Sequence, residues 1–193
     1  MFTFLIPLYY IVSKLAEEKE SKSREGMKMM GLTDFSYFAS WLIFYTFIVV
    51  FMGLVITGML SINVFPQSNK FLIFLLAFFY GMSLFGFSIC IVALLPTQRA
   101  SATAASLLHV ILYFIVFAIR DPDTGASVKL GMSIFPNVGM SFCIYNLYHF
   151  ETDSTGLGFD NTTIAYDNIT YSGALLMLIF DTFFYLFLGL YLD

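Results

Sequence analysis

The chain is organised by the stretch Lys14-Leu15-Ala16-Glu17-Glu18-Lys19-Glu20-Ser21-Lys22-Ser23-Arg24-Glu25-Gly26-Met27-Lys28-Met29-Met30-Gly31-Leu32. It contains five of the nine Lys and Arg residues and four glutamates, while the sequence on both sides is apolar. A charged stretch between apolar segments must lie in water, and its excess of Lys and Arg predicts the cytosolic side of a membrane. Glu18 and Lys22 have the i,i+4 spacing that supports a helix. We therefore predict a cytosolic helix over residues 13–34.

Composition identifies the chain as a membrane protein. Of its 193 residues, 59% are hydrophobic and only 11% are charged, and the mean hydropathy is +0.84. Soluble domains carry about 25% charged residues. Cys90 and Cys143 have no spacing typical of a disulfide framework or a metal site. We predict an integral, multi-pass protein of the plasma membrane or an intracellular vesicle membrane, with no nucleic-acid partner.

The apolar segments predict an all-α, polytopic transmembrane domain that occupies residues 1–193. A span needs about 20 apolar residues. Residues 1–12 are too short, so we interpret them as the end of a transmembrane helix and the chain as an excerpt or a truncated gene model. Complete spans are predicted at residues 35–60, 71–95, 101–119 and 172–192.

The segment 131–150 is long enough to span but is interrupted by Pro136, Asn137, Gly139 and Asn146. If it crossed the membrane, the following segment 151–171 would be cytosolic. That segment has four acidic residues and no Lys or Arg, and it contains the N-glycosylation sequons of Asn161 and Asn168. We therefore predict that 131–150 is an exocytoplasmic, re-entrant helical hairpin packed on protein, and that 151–171 is an outer loop.

Motifs for catalysis are missing from the sequence. It has no Gly-x-x-x-x-Gly-Lys-Ser/Thr phosphate loop, and His109 and His149 are too few for a membrane di-iron or zinc protease site. We predict no catalytic residue, no metal and no cofactor in this chain.

Two polar residues within predicted spans are candidate functional residues. Asp181 is the only acidic residue deep in a span, and intramembrane carboxyl groups often mark proton or substrate pathways. The alternative is a neutral Asp181, or one hydrogen-bonded to Thr182 or Tyr185. His109 lies in the middle of 101–119, where it can hydrogen-bond across helices.

The charged stretch is itself a candidate docking surface. Its Met27–Leu32 end is rich in methionine, which is frequent at adaptable binding surfaces. The alternative is a solvated loop that only satisfies the positive-inside rule.

Several motifs resemble those of the A subfamily of ABC transporters, the lipid exporters. Glu18-Lys19-Glu20, and Glu25-Gly26-Met27-Lys28-Met29-Met30-Gly31-Leu32 followed by a span with Trp41, are similar to the family signature after the second transmembrane helix. Supporting motifs are Phe135-Pro136-Asn137, the Gly156-Leu157-Gly158 region with Asp160-Asn161, and the terminal Tyr191-Leu192-Asp193. Phe159 stands near the usual position of a Trp, and Ser21 and Ser23 replace commoner basic or aliphatic residues.

The resemblance implies the transmembrane part of an ATP-driven lipid transporter. The first helix, the large extracellular domain, the second transmembrane half and the nucleotide-binding domains, with their ATP and Mg²⁺, would lie outside this chain. Membrane lipids would be the substrate. The segment 14–32 would be the coupling helix that docks on a nucleotide-binding domain, through Glu18, Lys19, Glu20, Arg24, Glu25, Met27, Lys28, Met29, Met30 and Gly31.

Two other functions are compatible with the residues alone. The first is a passive channel or scramblase in which the charged stretch is a regulatory or anionic-lipid-binding segment. The second is a structural assembly subunit.

Overall fold

The computed structural model describes residues 2–192, except for the side chain of Asp34. Met1 and Asp193, the last residue of the terminal motif, therefore lie outside the described residues. A 3-10 turn at Phe2–Phe4 precedes eight α-helices and one β-hairpin. These are α1 (Leu5–Glu20), α2 (Ser23–Met29), α3 (Asp34–Asn63), α4 (Lys70–Leu94), α5 (Gln98–Ile119), α6 (Ala126–Met132), α7 (Pro136–Thr152), β1 (Ala165–Tyr166), β2 (Ile169–Thr170) and α8 (Tyr171–Leu192).

The prediction of an all-α, multi-pass membrane fold is confirmed. Within the described residues, four helices are long and apolar enough to cross a membrane: Phe35–Asn63, Lys70–Leu94, Gln98–Ile119 and Tyr171–Leu192. Each corresponds to one predicted span, with ends that differ by at most three residues. Cys90 and Cys143 are free and buried.

Helix α4 is the most buried of the four and lies at the centre of the bundle, with α3 and α8 packed against it. Two glycines allow α8 to approach it closely. A Cβ atom on Gly86 would lie 2.8 Å from the backbone nitrogen of Leu186, and one on Gly189 would lie 2.9 Å from Cγ2 of Ile89. Small residues permit such contacts in lipid, where packing rather than the hydrophobic effect holds helices together.

The charged stretch differs from its prediction, because it does not form one helix over 13–34. Helix α1 runs through the predicted transmembrane end and into this stretch as far as Glu20, and a second helix begins at Ser23. Lys22, between them, has a left-handed backbone with φ 56°. The hydroxyl of Ser21 donates to the carbonyl of Glu18, and such side-chain bonds compete with helix continuation.

The two ends of the bundle carry different connections. The charged end holds α2 and the turn 95–97 between α4 and α5. The loop end holds the α3–α4 loop at 64–69 and the segment 153–170. At the loop end, the carboxylate of Glu151 accepts from the backbone nitrogen of Gln67 (2.9 Å) and the hydroxyl of Ser68 (2.7 Å).

Helices α6 and α7 enter and leave the bundle at the loop end. Asn137, in the first turn of α7, accepts from the hydroxyl of Tyr80 (2.8 Å) and donates to the backbone carbonyl of His109. Tyr80 and His109 lie near the middle of α4 and α5, whereas Glu151 in the last turn of α7 reaches the α3–α4 loop. Helix α7 therefore begins at mid-depth and returns to the loop end.

The predicted outer loop 151–171 contains a short antiparallel hairpin that was not predicted from the sequence. Ala165 pairs with Thr170 and Tyr166 with Ile169. Asp167 and Asn168 form its turn, and both have positive φ, as a two-residue hairpin turn of this hand requires.

Candidate functional site

The end of α1 is attached to three different helices. Oε2 of Glu18 accepts from the hydroxyl of Tyr37 (2.6 Å) and from Nε1 of Trp41 (3.3 Å), both on α3. The Nζ atom of Lys19 donates to backbone carbonyls near the end of α4. Oε2 of Glu20 accepts from the backbone nitrogen of Gln98 (2.8 Å), where α5 begins. We call Glu18, Lys19 and Glu20 the clasp.

The charges of Lys19 and Glu20 match the ends of the helices they contact. The last carbonyls of a helix have no partner within it and carry partial negative charge, and the first N–H groups carry partial positive charge. Lys19 lies at the C-terminal end of α4, and Glu20 lies at the N-terminal end of α5. Each side chain thus satisfies backbone groups that helix geometry leaves open.

Helix α2 presents a different surface. Met29 and Met30 are 86% and 82% exposed, and Glu25 and Lys28 are also exposed. Gly31, with φ 98°, ends this segment, and the backbone nitrogen of Leu32 donates to the carbonyl of Met27. The two large apolar side chains of Met29 and Met30 are therefore exposed at the charged end.

Arg24 joins α2 to α3. Its guanidinium lies 5.0 Å from the ring centre of Tyr37 and 4.8 Å from that of Phe38, within the range of cation–π attraction. Met27 is half-buried and packs against the hydrophobic core.

The structure thus divides the ten residues that the sequence grouped as one docking surface. The clasp residues have their side chains hydrogen-bonded to α3, α4 and α5. Met29, Met30, Glu25 and Lys28 are exposed on or beside α2. The clasp contacts could not be found from the sequence, because their partners lie 19 to 78 positions away.

The two intramembrane candidates lie apart in different surroundings. His109 is buried on α5 near the Asn137 and Tyr80 contacts described above. Asp181 is buried on α8, and neither carboxyl oxygen has a hydrogen-bond partner among the described residues. The hydroxyl of Thr182 donates to the carbonyl of Leu178, and that of Tyr185 donates to Ile134. The alternative that Thr182 or Tyr185 satisfies Asp181 is therefore wrong.

A largely apolar cavity of about 560 Å³ lies at the loop end between the α3–α4 loop, α5 and α7. Arg120 lies at its edge, 4.5 Å from the ring centre of Tyr145. The hydroxyl of Tyr145 donates to the carboxylate of Asp167. Partial burial and this hydrogen bond raise the pKa of Tyr145. The sequence alone does not predict this cavity, because its walls come from segments distant in the chain.

The two sequon asparagines differ in exposure. Asn161 is half-buried: its Oδ1 accepts from the backbone nitrogen of Gly158 and its Nδ2 donates to the carbonyl of Gly156, both at 2.8 Å. Asn168 is exposed at the tip of the β-hairpin, and its Nδ2 donates to the carbonyl of Pro122.

The bundle of spanning helices and the clasped, charged end define a multi-pass helical membrane domain. Residues 1–191 match the model of the ABC-2 family transporter protein family, so the chain belongs to that family.

Curated relatives agree with this assignment. The chain is 26% identical over 197 residues to the glucosylceramide transporter ABCA12 of Mus musculus, covering 99% of this chain and 8% of that protein. It is 29% identical over 188 residues to the cholesterol transporter ABCA5 of Homo sapiens, covering 96% of this chain and 11% of that protein. The predicted resemblance to the A subfamily of ABC transporters is confirmed, and the chain spans about a tenth of the length of these relatives.

Proposed function

We propose that this chain is the transmembrane part of an ATP-driven transporter of membrane lipids, coupled through residues 14–32 to an ATPase domain outside the chain. Two relatives are named as transporters of glucosylceramide and cholesterol, which supports a lipid as the transported molecule. The cavity beside Arg120 supports it further, since apolar walls with one polar edge suit an amphiphile.

The observation that carries the coupling proposal is the position of α2 relative to the clasp. Only Ser21 and Lys22 separate the clasp from α2. A force on α2 would therefore reach the end of α1, and through the clasp it would reach α3, α4 and α5. The exposed Met29 and Met30 are a contact surface for the ATPase domain.

In this proposal the charged end is cytosolic, in agreement with the positive-inside rule. The loop end, including the α6–α7 hairpin and both sequons, is then exocytoplasmic. Helix α7 is a re-entrant element, protected from lipid by its packing on α4, α5 and α8.

The energy for movement comes from docking. The ATPase domain must bind α2 with different free energy in its ATP-bound and ATP-free states, because a ligand can shift an equilibrium only by its differential affinity. ATP and Mg²⁺ would be held by that domain. Within the described residues of this chain, no group of three or more His, Cys, Asp or Glu is placed to hold a metal ion.

The experiment compares variants of the full transporter that contains this chain. M29D/M30D places two charges on the proposed docking surface without touching the bundle, and M29L/M30L is the conservative control. Export of labelled glucosylceramide, cholesterol and phospholipid is measured in vesicles with and without ATP. We expect ATP-dependent export and lipid-stimulated ATPase activity to fall about tenfold in M29D/M30D, since burying an unpaired charge costs more than the ~1.4 kcal/mol that a factor of ten requires.

Unchanged export by M29D/M30D would show that α2 is not the docking surface. Lipid movement that is equally fast without ATP would support the passive scramblase instead. Thermal unfolding of each variant in detergent verifies that the membrane bundle is intact.

A further inference from the structure

An apolar groove of about 590 Å³, separate from the cavity at the loop end, lies at the charged end. Its floor is formed by Phe85 and Ile89 of α4. One wall is the start of α3, including Phe35 and Ala39, and the other is the end of α8, including Phe183 and Phe187. Arg24 and Lys28 of α2 also line it.

The groove exists because α3 and α8 both pack on α4 and make little contact with each other. The two helices therefore leave a channel that runs along α4. Its walls face outward: Phe35 is 84% exposed, Phe183 57% and Phe187 71%. On membrane-crossing helices such side chains face lipid, so the groove is open to acyl chains from the side.

The two cations lie together at one part of this groove. Arg24 and Lys28 are separated by one turn of α2, which places them on the same side of that helix. The contacts of Arg24 with the rings of Tyr37 and Phe38 hold its guanidinium against α3. An apolar channel therefore meets a pair of positive charges at the water-exposed end of the bundle.

We propose that this groove binds one anionic phospholipid of the leaflet at the charged end. The phosphate contacts Arg24 and Lys28, and an acyl chain lies between α3 and α8 on the surface of α4. Charge complementarity selects this occupant, because the cytosolic leaflet is rich in anionic lipids and basic residues near its surface attract them. The volume lies within the range of ligand pockets, about 300–1,000 Å³.

This lipid is a bound component, separate from the transported molecule. It would bridge α2, α3 and α8, and α8 receives no contact from the clasp among the hydrogen bonds of residues 18–20. The site therefore connects the proposed coupling segment to the remaining spanning helix. The assignment of the headgroup to the cytosolic leaflet rests on the sidedness in the proposed function.

The test is a titration of the purified, full protein in detergent with phosphatidylserine or phosphatidylcholine, followed by native mass spectrometry. R24Q/K28Q removes both cations at the groove, and K22Q/R99Q removes two exposed cations elsewhere at the charged end. Each basic residue contributes about 1 kcal/mol near an anionic surface. We expect the phosphatidylserine affinity of R24Q/K28Q to fall roughly tenfold or more, while K22Q/R99Q stays within about threefold of the unmodified protein.

A second pair of variants tests the acyl-chain channel without changing charge. A39W fills the groove, whereas A118W places the same side chain on the exposed face of α5. We expect A39W to lose phosphatidylserine binding and A118W to retain it. Thermal unfolding in phosphatidylcholine micelles shows whether each variant is folded.

Equal weakening by R24Q/K28Q and K22Q/R99Q would overturn the proposal, because binding would then be nonspecific attraction to a basic surface. Unchanged binding in A39W would also overturn it, because an acyl chain between α3 and α8 would meet the added side chain. The binding assay needs neither ATP nor transport. Failure of the transporter proposal would therefore leave its result intact.

Discussion

The Nζ atom of Lys19 lies 2.6 Å from the backbone carbonyl oxygen of Val92, 73 positions away in the chain. A further bond of 3.0 Å reaches the carbonyl of Ala93. One lysine thus occupies the C-terminal end of the central helix α4, where carbonyl groups lack intrahelical partners. The interaction ties the segment next to α2 to the most buried spanning helix.

Lys19→Met tests this attachment. Removal of the Lys19 ammonium group leaves two carbonyls of α4 without their charged donor. We therefore expect the free energy of unfolding to fall by about 1–2 kcal/mol. Lys22→Met is the control, because Lys22 is exposed in the linker between α1 and α2. Thermal unfolding in detergent measures both. Equal stability of the two variants would mean that the Lys19 contacts contribute nothing.

Gly86→Ala tests the contact between α4 and α8. The added Cβ would meet backbone and side-chain atoms of Leu186 and Tyr185 at 2.8 to 2.9 Å, so α8 must shift. Overpacking of this kind costs about 1–3 kcal/mol. Gly58→Ala, on α3, is the matched control, since nothing lies within 4 Å of its Cβ and alanine is the better helix former by about 1 kcal/mol.

We therefore expect the unfolding temperature to fall for Gly86→Ala and to stay level or rise for Gly58→Ala. The reverse order would contradict the close packing of α4 on α8.

Glycosylation should occur at Asn168 and not at Asn161. The amide of Asn161 is hydrogen-bonded through both its oxygen and its nitrogen within a half-buried loop. Asn168 donates one hydrogen bond through its nitrogen but is exposed on a hairpin turn. In cells that glycosylate exported proteins, a glycosidase should change the gel mobility of the unmodified protein. Asn168→Gln should remove this change, because the variant has no glycan at position 168. Thr163→Ala eliminates the Asn161 sequon without altering the hydrogen bonds of Asn161, and it should change nothing.

A mobility change in Thr163→Ala would show that Asn161 carries a glycan. The absence of any glycan in the unmodified protein would count against the proposed exocytoplasmic position of the loop end.

Asp181→Leu should leave stability unchanged or increase it. Replacing a buried polar group that has no hydrogen-bond partner with an apolar one is neutral or favourable. Thr182→Val is the neighbouring comparison: its hydroxyl donates to the carbonyl of Leu178 at 2.9 Å, and losing such a bond within a membrane costs about 0.6 kcal/mol. Strong destabilisation by Asp181→Leu in thermal unfolding would contradict the finding that the Asp181 carboxyl has no hydrogen-bond partner among the described residues. Lost lipid export by a stable Asp181→Leu would assign this group to transport.

The candidate site was recognisable in part. Glu18-Lys19-Glu20 and the Met27–Leu32 end stood out as motifs, but a motif does not reveal which of its residues face inward. That division depends on Val92 and Gln98, which are ordinary residues in the sequence and become partners only when the ends of α4 and α5 meet α1. The break at Lys22 was not predicted for a related reason. The spacing of charges indicates a helix, but it gives no information on the serine side-chain hydrogen bonds that compete with the helix.

Hydropathy and length were sufficient to locate the four spanning helices. Each crossing of a bilayer requires about 20 apolar residues, and lipid offers no hydrogen-bond partner to the backbone, so each crossing must be helical. The excess of Lys and Arg in one stretch was enough to propose an orientation. Tertiary structure decided how the helices meet. Gly86 and Gly189 set the closeness of α8 to α4, and Asn137 sets the depth of α7. The clasp joins α1 to α3 and to the ends of α4 and α5. These contacts join residues far apart in the chain, and their geometry follows from packing, which no local pattern of hydrophobicity or charge encodes.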